Sequence, residues 1–198
     1  MRFKRKNQTE RLVLSAAMTA IVIILQVLAT ATTWFGPFST AVALIPIAIG
    51  ACMCGIGVGT WLGFIFGVVV MATGGANLFF AFDIPGTVVT VLLKGMACGA
   101  AAGLVYKLLN RFNGIVAAIT AAIVCPVVNT GVFLLGCAVF FLDDANGIAE
   151  VLGLGVSGMA LFWALAVANF LFEVGMNIVL SPVIVRLLYI RRKRRTAE

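Results

Sequence analysis

The chain has 198 residues, 63% of them hydrophobic and 11% charged, with 21 glycines, a mean hydropathy of +1.16 and a net charge of +7. No soluble core hides that much apolar surface, so a soluble globular protein is excluded and an integral membrane protein is expected. The apolar blocks run for about 20 residues without the alternation of a β-barrel, so the expected fold class is all-α, one domain of six transmembrane helices.

A basic segment, residues 1–11, holds Arg2, Lys4, Arg5, Lys6 and Arg11 and leads into the first predicted span, Leu12 to Thr33. This block is too long for a signal peptide and lacks a small-residue cleavage site, so it is read as a retained helix. Ala16 and Ala20 form a small-residue ridge on it, suited to packing within the bundle or to docking another membrane protein. The connection Thr30 to Pro37 then joins hydroxyls to Trp34 and Phe35, which either anchor at the interface or close over a small ligand.

The second and third spans, Thr40 to Gly55 and Gly59 to Thr73, are separated by the glycine turn Gly55 to Gly59. Gly59, Gly63 and Gly67 recur every four residues in the third span, and Gly95, Gly99 and Gly103 do so in the fourth, which predicts close helix contact. Between these spans, Gly74 to Gly86 forms a longer loop carrying Asn77 and the apolar run Leu78 to Phe82. It is expected to lie at the interface or to fold back as a lid over a ligand that Asn77 also touches.

The fourth span, Thr87 to Tyr106, contains Lys94, roughly 12 Å below its outer end counted from Gly86. The fifth, Ile115 to Leu142, places Asn129 and Thr130 one turn after Pro126, which interrupts the backbone ladder. In the sixth, Met159 to Leu188, Asn169, Glu173 and Asn177 recur at intervals of four and share one face. Residues 189–198 form a second basic tail.

Lys and Arg are confined to the two ends and to the connection between the fourth and fifth spans, apart from Lys94. The other connections hold Asp83, Asp143, Asp144 and Glu150. This asymmetry predicts cytoplasmic termini and an even number of spans. The terminal basic clusters are explained by anionic membrane lipid beside them, and no nucleic-acid partner is needed. All five cysteines sit in apolar blocks as small hydrophobes, and a chain without histidine offers no Cys/His metal site. No nucleotide-binding glycine loop and no hydrolytic Ser/His/carboxylate set is present, so no enzymatic activity and no cofactor is expected, and uphill transport would draw on another subunit or an ion gradient.

Lys94 and Glu173 are the anomalous charges, since a Lys or Asp at the centre of a spanning helix costs roughly 2.5 kcal/mol or more. Two readings stand. They pair, tying the fourth helix to the sixth, or Lys94 offers its ammonium to an anionic ligand that Asn129 and Asn169 also contact. Helix arithmetic sets Asn169 nearer the depth of Lys94 than Glu173, by about one turn, which leaves Glu173 as a partner or anchor.

Several segments together resemble the substrate-binding S components of energy-coupling factor (ECF) vitamin transporters. They are Ala16-Ala17-Met18-Thr19-Ala20, spaced like that family's AxxxA docking motif, the glycine-rich second and third spans, Lys94-Gly95 followed by Gly103-Leu104-Val105-Tyr106-Lys107, and Pro126-Val127-Val128-Asn129-Thr130-Gly131. The last two are similar to the branch that includes pantothenate transporters. The resemblance implies a multi-pass protein of a prokaryotic cell membrane. It would capture a vitamin with high affinity and dock on a membrane scaffold subunit carrying two ATPases. Ala16 and Ala20 would then face the scaffold, with Lys94, Asn129 and Asn169 on the vitamin. Pantothenate, with a carboxylate, an amide and two hydroxyls, suits one lysine and several asparagines. Related branches carry arginine near the Lys94 position, so the ligand stays open. Two alternatives also stand: a self-sufficient ion-coupled carrier in which Glu173 takes up a proton, and a membrane assembly protein using its glycine ridges.

Overall fold

A computed structural model describes residues 8–31, 41–153, 155, 158–164, 166–167, 170–171 and 175. The described elements are all α-helical: α1 (Gln8–Ala31), α2 (Ala41–Cys54), α3 (Ile56–Ala72), α4 (Asn77–Phe80), α5 (Ile84–Leu109), α6 (Gly114–Phe140) and α7 (Ala145–Leu152). Helical residues resume at Met159. Helices α1, α5 and α6 are long and apolar enough to cross a membrane, while α2 and α3 are apolar but shorter. Each of the first five predicted spans coincides with one helix, and the predicted sixth begins where helix resumes, with most of its length outside the described residues.

Two connections differ from expectation. The predicted turn between the second and third spans shrinks to Gly55, whose φ of +96° lets α2 reverse into α3 at a single residue. The stretch after Leu142, left unassigned by hydropathy, contains α7. Its Ala145, Ile148 and Ala149 fall on one buried face, and Gly153 closes it in the left-handed conformation, its N–H donating to the carbonyl of Glu150. The loop before α5 folds back rather than lying flat. Leu78, Phe79 and Phe82 pack on a buried cluster made by Cys137, Phe141, Ile148, Leu161 and Phe162.

The main core joins Val22 of α1, Leu44 and Ile47 of α2, Leu62 and Phe66 of α3 and Cys98 of α5. Helices α3 and α5 approach backbone to backbone. A Cβ at Gly63 would overlap the carbonyl oxygen of Gly95, one at Gly95 would overlap that of Gly63, and Gly59 and Gly99 stand in the same relation. At this separation the carbonyls meet Cα–H groups of the facing helix, a contact that only glycine permits. Apart from Lys94, the described charges also segregate. Arg11, Lys107 and Arg111, with Glu10, lie toward the Gly55 end, while Asp83, Asp143, Asp144 and Glu150 lie toward the end built by α4 and α7.

Candidate functional site

The start of α5 is set by Asp83, which caps the helix by accepting from the backbone N–H of Gly86 at 3.1 Å, with Pro85 in the first turn where its missing donor costs nothing. From there α5 runs antiparallel to α6. Gly86 lies against Phe140, Thr90 fills the notch left by Gly136, and Lys94 meets Phe133. One more turn of that register brings Asn129 to about the level of Cys98, roughly 6 Å deeper than Lys94.

Lys94 lies ten residues into α5, roughly 15 Å from its first residue, since the helix begins before Gly86. It is half-buried, and its Nζ sits 5.2 Å from the centroid of the Phe133 ring. A cation over an aromatic face gains about 0.5 to 2 kcal/mol, less than the roughly 2.5 kcal/mol or more that a lysine costs at membrane depth. The ring offsets part of that cost. An ionisable residue within a membrane span is by default a candidate functional group.

Other polar groups share this seam. Asn129 is 3% exposed and Thr90 4% exposed, and the buried hydroxyl of Thr130 stands three residues from Phe133. At the acidic end the seam is closed by α4. Phe79 meets Phe133 edge to face at 5.6 Å and Phe141 at 5.2 Å. The ring that holds the ammonium of Lys94 is therefore also the ring on which the folded-back loop rests.

The predicted site residues divide as follows. On this register Lys94 and Asn129 fall on the α5–α6 seam, and half-buried Thr130 follows Asn129 on α6. Asn77 opens α4 in an exposed position, its side chain along Gly74. Trp34, Asn169 and Glu173, with Asn177, lie outside the described residues. Ala16 and Ala20 occupy a separate surface, exposed on α1, where they floor a shallow groove walled by Leu12, Ile23 and Trp61. Trp61 comes from α3 and is 50% exposed.

Sequence reasoning missed Thr90, Phe133 and Gln26. Thr90 was legible as the residue one turn before Lys94, and Phe133 as the residue one turn after Asn129. Gln26, 1% exposed, donates through Nε2 to the Thr30 hydroxyl at 3.3 Å, and Thr30 meets Thr73, the C-cap of α3, at 3.1 Å. This polar tie joins α1 to α3 at the end where the α4 loop closes the bundle. Its signal was an amide between Leu25 and Val27 in an otherwise apolar block.

No curated protein and no solved structure matches the chain. The family model of the ECF transporter, substrate-specific component, matches residues 10–185, nearly the whole length, and the chain belongs to that family.

Proposed function

We propose that the chain captures a small water-soluble carboxylate vitamin, pantothenate being the leading candidate, and hands it inward with a membrane scaffold and two ATPase subunits. The observation that carries this reading is the seam itself. An ammonium within the span, Lys94, shares it with a buried asparagine, Asn129, and a buried threonine, Thr90, and an aromatic loop closes its end. An anionic ligand would pair with Lys94 in a setting of low dielectric, where charge-assisted hydrogen bonds are strong. Asn129 and Thr130 would serve its amide and hydroxyls, with Asn169 as a further contact and Glu173 as an anchor. Trp34 and Asn77 would close the mouth. The separation of basic and acidic ends supports cytoplasmic termini and an outward-facing mouth.

A thermal-shift panel of vitamins on the purified chain in detergent tests this. Saturation at 1,000 times Kd adds about 4 kcal/mol, which for a chain of this size is a rise of roughly 8 to 16 °C. Pantothenate is expected to give that rise without ATP, and uptake into vesicles is expected to need the ATPase partners. Gradient-driven uptake by the chain alone would overturn the reading in favour of an ion-coupled carrier.

The groove on α1 supports the docking role of Ala16 and Ala20, and its exposed Trp61 has the character of an interface anchor. Leucine at both alanines fills the floor of the groove without touching the α5–α6 seam. The double variant is expected to keep vitamin affinity within about twofold while ATP-dependent uptake falls by roughly tenfold or more. Parallel loss of binding and uptake would assign these alanines to the packing of the bundle.

A further inference from the structure

Hydroxyl groups in apolar helices have a default partner. The carbonyl four residues earlier accepts their proton, and the donor is satisfied within its own helix. Ser15, Thr19, Thr60, Thr73, Thr87 and Thr120 all follow this rule at 2.5 to 3.0 Å, and Thr30 does so at 3.0 Å to Gln26. Thr90 and Thr130 break it. Their Oγ1 atoms are buried and make no hydrogen bond among the described residues. Thr90 stands on the α5–α6 seam and Thr130 on α6, with Lys94 between their levels.

Thr90 is the more informative of the two, because its place is constructed by a second residue. A Cβ at position 136 would overlap both Oγ1 and Cγ2 of Thr90, so the notch that receives the side chain exists only because α6 carries Gly136 there. Thr90 and Lys94 are four residues apart on one helix face, a spacing that brings side chains into reach of a shared group. A lysine and a hydroxyl at that spacing can donate to the two oxygens of one carboxylate. A buried hydroxyl left without a partner costs free energy in the ligand-free chain, and a ligand that supplies an acceptor recovers it.

We infer that Thr90 is a second anion-binding residue of the site, donating its hydroxyl to the same carboxylate that Lys94 pairs with, so that the pair selects carboxylates over uncharged analogues. This rests on the seam being the substrate site. Thr130, on the deeper side, is left with Asn129 for the remainder of the ligand.

The test compares Thr90→Val, Thr90→Ser and the unmodified full chain for binding of pantothenate and of pantothenol, in which a hydroxymethyl group replaces the carboxylate. Valine nearly keeps the shape in the Gly136 notch and replaces the hydroxyl with a methyl group. Thr90→Val is expected to weaken pantothenate binding by roughly 10- to 100-fold and pantothenol binding by no more than about threefold, since hydrogen bonds to charged groups are the stronger ones. Serine is expected to restore most of the loss. Meanwhile the ligand-free melting temperature of Thr90→Val should equal or exceed that of the unmodified chain, because an unsatisfied buried hydroxyl has gone. Unchanged pantothenate affinity in Thr90→Val overturns the inference while leaving the site reading intact. Equal losses for both ligands with a lowered melting temperature also overturn it, by assigning Thr90 to packing. If the unmodified chain binds neither compound, the substrate reading falls and the inference falls with it.

Discussion

Lys94→Ala is expected to abolish vitamin capture while leaving a folded protein. Removing one member of a buried, hydrogen-bonded charge pair costs about 3 to 5 kcal/mol, which corresponds to a loss in affinity of roughly 10²-fold to several thousandfold. The ligand-free chain has less to lose. Against the loss of its contacts, among them the one at 5.2 Å over Phe133, stands the relief of the cost of carrying a charge within the span. The melting temperature of ligand-free Lys94→Ala should therefore stay within a few degrees of the unmodified value. Titration of pantothenate against melting temperature and direct binding in detergent read the two effects separately. The opposite pattern, with intact binding and a chain that no longer melts cooperatively, would mean that Lys94 serves to hold α5 to a neighbouring helix and that the seam is structural.

Gly63→Val is expected to prevent assembly of the bundle. The Cβ alone would overlap the carbonyl oxygen of Gly95 and crowd the amide nitrogen of Met96, both backbone atoms with no rotamer through which to escape. The helices must separate, and α5 carries Lys94 and Thr90 along with it. Overpacking a tight core costs about 1 to 3 kcal/mol where side chains can yield, and more is expected where only backbone can move. Folded domains are stable by about 5 to 15 kcal/mol, so a loss on this scale is severe. The variant should run as aggregate in size-exclusion chromatography and give no sharp melt. Gly57→Ala is the matched control. It lies on the same helix, a Cβ there meets nothing within 4 Å, and alanine is the better helix former, so its melting temperature should be unchanged or slightly raised. Equal tolerance of both substitutions would mean that α3 and α5 are not in backbone contact.

Much of this arrangement is legible along the chain. Block length and composition anticipated α1, α2, α3, α5 and α6, because burial in hydrocarbon demands long apolar runs whose backbone bonds close internally. The glycine spacing in the third and fourth spans anticipated their contact, since glycine every four residues marks one face of a helix as open to a close neighbour. Lys94 was conspicuous by its cost. The two smaller helices were harder to read. Helix α4 has only four residues and α7 only eight, too short for a hydropathy window, and α7 owes its buried face to Phe82, Leu161 and Phe162 rather than to its own propensity.

The sequence alone determined the membrane class, the positions of the apolar helices and which ionisable residue within them is anomalous, because each depends on local composition and on the cost of charge in hydrocarbon. The tertiary structure decided which faces meet. In α5 and α6 apolar residues surround the whole helix, so no hydrophobic stripe marks the inner side. Only packing could put Phe133 beneath Lys94, admit Thr90 into the notch of Gly136 and set Trp61 beside Ala16 and Ala20. These contacts join residues far apart in the chain, and nothing in the spacing along one helix specifies the register of its neighbour.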